Sequence, residues 1–94
     1  MDPDFEEKIK KYRDDINRID MQIVDLLNDR AKIVLEIKRL KKKHNIPLYD
    51  AKREEELLDN IVKYNKGPLY NDNIVQIFES ILRNVQILER GEEL

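Results

Sequence analysis

The sequence predicts an all-α fold with three helices per chain. Its 94 residues include only two Gly and three Pro. These breakers stand at positions 3, 47, 67, 68 and 91, so three long stretches can be helical without interruption. Within each stretch, apolar residues recur every three or four positions, the period of one helix face. The length predicts a single domain over residues 1–94.

The first predicted helix covers about residues 5–43 and carries an apolar stripe that one cation, Arg30, interrupts. At about 1.5 Å per residue the helix is about 60 Å long, roughly twice the diameter of a compact domain of this size. The stripe consists of Ile9, Tyr12, Ile16, Ile19, Ile23, Leu26, Ile33, Ile37 and Leu40. A second stripe beside it consists of Val24, Leu27, Ala31 and Val34. A helix apolar on more than one face is expected to pack on both sides, here against a second copy of the chain. The alternative, a plain coiled coil, would need a narrower seam and no further helices.

The second predicted helix covers about residues 50–65. The cations at the end of the first helix suit the helix dipole, and Pro47 prevents its continuation. Asp50 is the expected N-cap of the second helix. Its apolar face consists of Leu57, Leu58, Ile61 and Val62.

The third predicted helix covers about residues 72–90. Gly67, followed by Pro68, is expected to end the second helix in a left-handed conformation. Asn71 or Asp72 is the expected N-cap of the third. Its apolar stripe consists of Ile74, Ile77, Phe78, Ile81, Leu82, Val85 and Leu88. The last residues, 91–94, are expected to fray.

The composition excludes several kinds of site and partner. The chain has no Cys, which excludes disulfides, thiolate catalysis and cysteine-bound zinc, and its single His makes a histidine metal cluster improbable. A net charge of -2 gives no general attraction to nucleic acid. No apolar run reaches the ~18 residues of a membrane span and no signal peptide is visible, so a cytoplasmic protein is expected.

Three charged residues occupy positions where the apolar pattern predicts carbon: Arg30, Glu54 and Glu89. Each has a purely structural interpretation. The arginine could extend its head group to solvent, Glu54 could oppose the dipole of the second helix, and Glu89 could be solvated near the chain end. The three together favour a functional site.

The positions of the nearby cations favour a small anionic ligand. Arg30 and Lys41 are eleven residues apart, which places them on nearly the same helix face about 16 Å apart. Long side chains could bracket an anion between them, although Lys41 taken alone is one of several cations at the helix end. Arg13 lies about 25 Å from Arg30 along the helix. It could reach such a ligand only in an antiparallel pair of chains.

These residues in this order resemble the AroQ-class chorismate mutases. In the first helix the resemblance rests on Arg13, residues 16–20, Leu26-Leu27-Asn28-Asp29-Arg30, Ile37-Lys38 and Lys41. It continues through Ile46-Pro47-Leu48-Tyr49-Asp50, Arg53-Glu54-Glu55, Ile77-Phe78, Ile81-Leu82 and Glu89. The turn Asn65-Lys66-Gly67-Pro68 is similar to mutase domains fused to bacterial DAHP synthases, which makes such a synthase a candidate partner.

The resemblance implies an intertwined helical homodimer that isomerises chorismate to prephenate without metal or cofactor. It implies that Arg30 and the second copy's Arg13 bind the substrate carboxylates and that Lys41 addresses the ether oxygen. It further implies that Glu54 and the backbone near Asp50 hold the ring hydroxyl, with Arg53 in support. Two other functions stay open: a weakly active regulatory domain that binds chorismate or prephenate, and an isochorismate pyruvate lyase.

Two positions depart from the family's common pattern. Glu89 stands where many members have Gln, and a carboxyl group can donate to the ether oxygen only when it is protonated. Val85 stands where many members have a small polar residue bonded to a substrate carboxylate. Valine cannot form that bond, so weaker substrate binding is expected.

Overall fold

A computed structural model of the chain describes residues 2–91, which contain three helices and no strand. The helices are α1 (Pro3–Lys43), α2 (Ala51–Tyr64) and α3 (Asn71–Glu89). The predicted all-α class is therefore confirmed, and each predicted boundary lies within about two residues of the observed one, the usual scatter of helix ends. No helix among the described residues is both long and apolar enough to cross a membrane.

α1 ends in a turn whose hydrogen bonds lie entirely before Pro47. The Ile46 N–H donates to the Lys41 carbonyl at 2.8 Å, and the Asn45 N–H donates to the Lys42 carbonyl at 3.3 Å. Asn45 has φ 57°, in the left-handed region that Asn tolerates better than most residues. This pair of bonds is a Schellman motif. The stop predicted at Pro47 is thus already made by Asn45.

α2 begins as predicted, because the Asp50 side chain caps it by accepting from the Arg53 N–H at 3.1 Å. At its other end Asn65 is the C-cap, and its N–H donates to the Ile61 carbonyl at 2.9 Å. Gly67 has the predicted left-handed conformation, with φ 76°. It lies two residues after the C-cap and therefore shapes the connecting turn rather than closing the helix.

The start of α3 differs from the prediction. Asn71 and Asp72 both lie inside the helix, and Tyr70 occupies the N-cap position. The Asn73 side-chain oxygen accepts from the Tyr70 N–H at 3.2 Å. Asn71 instead accepts a side-chain hydrogen bond from Asn65 at 2.9 Å. The predicted cap is wrong because its side chain belongs to the turn and Asn73 binds the cap backbone.

The chain divides into two compact units, Met1–Ile33 and Val34–Leu94. The first unit is a single length of α1 whose large apolar side chains are 39–66% exposed. They are Phe5, Tyr12, Ile16, Ile19, Met21, Ile23, Val24, Leu26, Leu27 and Ile33. An apolar surface of this extent on one helix is unusual for a monomer and marks an interaction surface.

The second unit contains the end of α1 and the pair α2 and α3, which pack against each other. The predicted apolar faces of α2 and α3 are half-buried there, with Ile77 and Leu88 more exposed than the others. No described residue of either unit is fully buried. The prediction of one domain over residues 1–94 stays a prediction.

Candidate functional site

Arg30 has a buried polar atom without a partner. Its side chain is half-buried, and its Nη1 atom is shielded from solvent but has no hydrogen-bond partner among the described residues. An unsatisfied buried donor costs about 1–3 kcal/mol, and more when it is charged. An anion bound at Nη1 would remove this cost.

Arg30 differs in burial from the stripe that it interrupts. Leu26, Ile33 and Ile37 are 66%, 63% and 47% exposed. Within a single chain, therefore, most of this stripe is exposed, and Ile9 and Arg30 are half-buried. The apolar side chains next to Arg30 in the stripe are not covered by the described chain.

Arg13 is exposed on α1, in an open recess of the first unit. The recess is lined by Phe5, Glu6, Ile9, Lys10, Arg13, Asp14 and Asn17. The ion pairs found in residues 2–91 are Arg18–Asp15 at 3.2 Å and Arg39–Glu36 at 3.3 Å. Arg13 is in neither of them, and neither are the other predicted anion-binding cations, so no carboxylate of the described chain neutralises them.

Lys41 is half-buried and already oriented by the backbone. Its ammonium group donates to the Leu48 carbonyl at 3.1 Å. This bond ties the end of α1 to the loop that leads into Asp50. An ammonium group has three donors, so two remain for a ligand.

Glu54 is half-buried on α2 and is joined to α3. Its Oε1 atom accepts from the Gln86 Nε2 atom at 3.0 Å. Val85, the preceding residue, and Glu89 are also half-buried on α3. Arg53 is exposed, and its backbone N–H is used by the cap of α2.

The second unit therefore brings together some of the predicted site residues. Asp50 and Arg53 meet at the start of α2, and α2 packs against the helix that carries Val85 and Glu89. Arg13 and Arg30 belong to the first unit.

Two groups were absent from the predicted site: the Leu48 carbonyl and Gln86. A backbone acceptor leaves no signal in the sequence. Gln86 does leave one, because it follows Phe78 by eight and Leu82 by four residues and is thus a polar residue on an apolar face. The reasoning that selected Glu54 also applies to it.

A separate cavity of about 480 Å³ lies where α2 ends and α3 begins, and it contains none of the predicted site residues. Its lining is Ile61, Tyr64, Asn65, Lys66, Gly67, Ile74 and Phe78. In the described part of the chain, no group of three His, Asp or Glu side chains could hold a metal ion.

The sequence profile of the family described as chorismate mutase type II matches residues 12–90. The chain belongs to this family. The match confirms the predicted AroQ class, and it favours the chorismate mutase prediction over the lyase and regulatory alternatives.

Several similar proteins are named as chorismate mutases. A bifunctional chorismate mutase/prephenate dehydratase of Aquifex aeolicus is 35% identical over 88 residues, covering 89% of this chain and 24% of that protein. A chorismate mutase of Methanocaldococcus jannaschii is 28% identical over 85 residues, covering 89% of this chain and 86% of that protein. The structure of a Thermus thermophilus chorismate mutase (Form II) has a TM-score of 0.87 at 33% identity, covering 93% of this chain and 99% of that one.

The chain spans about a quarter of the length of the bifunctional relative. The remainder of that relative is named as a prephenate dehydratase, and not as the DAHP synthase predicted here as a candidate partner. These relatives therefore do not support the prediction, made from the turn at Asn65–Pro68, that the partner is a DAHP synthase.

The unpartnered guanidinium leads to a prediction about stability. Replacing Arg30 by Met keeps most of the side-chain length but removes the buried donor, and we expect the free energy of unfolding to rise by about 1 kcal/mol. The measurement is urea unfolding at one fixed protein concentration. Arg18→Met is the matched control, because Arg18 is exposed and its ion pair with Asp15 contributes little. A loss of stability in Arg30→Met beyond that of the control would contradict the prediction.

Proposed function

We propose that this chain isomerises chorismate to prephenate by a Claisen rearrangement. The observation that carries the proposal is the buried, unpartnered Nη1 of Arg30 in a chain of the chorismate mutase family. Chorismate is a dianion, and a carboxylate forms strong, often bidentate hydrogen bonds with a guanidinium. The substrate would thus supply the partner that the described chain does not.

In the proposed site, several cations bind the carboxylates and the ether oxygen of the substrate. Arg30 and Arg13 of a second copy bind the carboxylates, and Lys41 binds the ether oxygen and the adjacent carboxylate. Glu54, with the backbone near Asp50, accepts from the ring hydroxyl. Arg53, which no ion pair occupies in residues 2–91, supports the site from the first turn of α2.

The reaction breaks a carbon–oxygen bond while a carbon–carbon bond forms, and negative charge grows on the ether oxygen. The protein must hold a compact conformer and stabilise that charge. One preorganised donor to such an oxygen is worth roughly 2.7–4 kcal/mol. Two donors would lower the barrier by about 5–8 kcal/mol, close to the ~8 kcal/mol of a modest enzyme.

Lys41 is suited to be the first donor. Its bond to the Leu48 carbonyl restricts a long, flexible side chain before the substrate arrives. Less conformational freedom is then lost on binding, which favours the transition state. Glu89, half-buried on α3, is the proposed second donor when it is protonated.

A homodimer is part of the proposal. The apolar side chains of the first unit, 39–66% exposed, need a cover, and an antiparallel second copy of α1 has a complementary surface. The same pairing would bring Arg13 to the other copy's site. A cytoplasmic location stays a prediction, and a prephenate dehydratase, as in the Aquifex aeolicus relative, replaces a DAHP synthase as the proposed type of fused partner.

The direct test is to identify the product formed from chorismate by the purified protein. Prephenate is expected, and Arg30→Ala should abolish its formation while the oligomeric state is unchanged, because the carboxylate loses its buried partner. Light scattering checks the oligomeric state. Saturable prephenate binding without turnover would instead indicate a regulator, and salicylate formed from isochorismate would indicate a lyase.

The shared site predicts complementation between two inactive variants. If each site uses Arg13 of one chain and Arg30 of the other, mixed dimers of Arg13→Ala and Arg30→Ala chains keep one intact site of two. Random re-assortment of equal amounts then restores about a quarter of the wild-type activity, since about half of the dimers are mixed. Each variant re-assorted with itself is the control. An inactive mixture that contains mixed dimers would place both arginines in the same chain's site.

Glu89 can be tested as the second donor by substitution. Only a group that carries a proton can donate to the ether oxygen, and the Gln amide always carries one. We therefore expect Glu89→Gln to keep or raise kcat and Glu89→Leu, which has no donor, to lower it about a hundredfold or more. Glu79→Leu, on an exposed position of α3, is the control. If kcat is unchanged in Glu89→Leu, Glu89 is not the donor.

A further inference from the structure

Gln86 forms a contact that the proposed mechanism does not yet use. Its bond to Glu54, 3.0 Å between Nε2 and Oε1, is the side-chain hydrogen bond that connects α2 to α3 in the described chain. Both residues are half-buried. A hydrogen bond from an amide to a carboxylate is stronger when the pair is partly shielded from water than when it is exposed, because the solvent competes less for the acceptor.

The bond occupies only part of the Glu54 carboxylate. A carboxylate has two oxygens with about four acceptor sites in all. Gln86 uses one of them at Oε1. The second oxygen, Oε2, remains for a donor such as a hydroxyl group. Since χ3 of Glu is a soft torsion with a broad distribution, a fixed Oε1 is what determines where Oε2 lies.

The amide at position 86 is the side chain suited to this task. A leucine there would fill a similar volume but would leave Oε1 without its donor. A glutamate would place a second carboxylate within hydrogen-bond distance of the first, and two such groups cannot both be ionised without strong repulsion. A lysine would neutralise Glu54 and compete for both of its oxygens.

We propose that Gln86 is a positioning residue, which holds the Glu54 carboxylate so that Oε2 accepts a hydrogen bond from the ring hydroxyl of the substrate. The inference rests on the proposed function and adds a residue to it. Gln86 touches no reacting atom in this account. Its contribution is to binding and to selection for a hydroxylated ring.

The competing interpretation is that Gln86 only clamps α2 to α3. Both interpretations predict some loss of stability on substitution, so stability cannot separate them. They differ for a ligand that lacks the ring hydroxyl, because only the positioning role acts through that group.

The first measurement compares Gln86→Leu with Gln76→Leu, the same change at an exposed position of α3. We expect Gln86→Leu to raise KM for chorismate about tenfold with little change in kcat, as for an interaction present in both ground and transition states. Gln76→Leu should behave as the wild type. An active wild type with an unchanged KM in Gln86→Leu would overturn the inference while leaving the proposed function intact.

The second measurement compares prephenate, which retains the ring hydroxyl, with a dicarboxylate analogue of prephenate that lacks this hydroxyl. Dissociation constants are determined by calorimetry so that inactive variants can be included. Gln86→Leu should weaken binding of prephenate about tenfold and binding of the analogue by less than about twofold, because only the hydroxyl depends on Oε2 of Glu54. Equal losses for both ligands would identify a structural clamp and overturn the inference.

The contact itself can be observed without any ligand. In the ¹H–¹⁵N spectrum, the Gln86 side-chain amide signal is assigned by its disappearance in Gln86→Leu. It should shift in Glu54→Ala and stay in place in Glu55→Ala, a change at an exposed neighbour. If the wild type neither turns over chorismate nor binds prephenate, the proposed function fails and the inference fails with it, even where this signal shows that the contact exists. An amide signal unmoved in Glu54→Ala would overturn the inference alone.

Discussion

The Nη1 atom of Arg30, shielded from solvent and without a partner in residues 2–91, is the constraint on which the proposed site depends. A cation shielded from water requires an anion or a set of acceptors, and for Nη1 the described chain offers neither. Natural proteins retain such costs mainly at functional sites. The roles proposed for the other site residues depend on the binding of an anion by Arg30. Lys41 and Arg53 are likewise free of ion pairs in residues 2–91, and in the proposed site they too would bind the anionic substrate.

In the proposed dimer, α1 contributes both to the site and to the contact between the two chains. The helix has 41 residues without an internal breaker and carries Arg13, Arg30 and Lys41. The part of α1 in the first unit has large apolar side chains on its surface. In the proposed dimer, a second copy of α1 would cover those side chains and contribute Arg13. Folding and substrate binding would then use one surface, so the exposure of the helix and the incompleteness of the site have a single explanation.

Much of the fold could be predicted from the sequence, because few breakers and a 3.6-residue period leave little choice of helix boundaries. Asp50 as a cap followed from its side-chain chemistry. Asn71 as a cap did not hold, since three asparagines within nine residues offer the same chemistry and only the turn decides which one is used. For the site, residue type and spacing selected Arg30 and Glu54. They could not select the Leu48 carbonyl, because a backbone acceptor has no residue signature. Gln86 was missed because only charged residues on the apolar faces were considered, although its spacing marks it as a polar residue on such a face.

The most direct test is a crystal structure of the protein with prephenate bound. The account predicts that Nη1 of Arg30 lies about 2.7–2.9 Å from a carboxylate oxygen of the ligand, the usual distance of a charge-assisted bond. It also predicts that Arg13 of a second chain reaches the same ligand. If Nη1 remains without a partner, or pairs with a protein carboxylate while the ligand lies elsewhere, the central claim is contradicted.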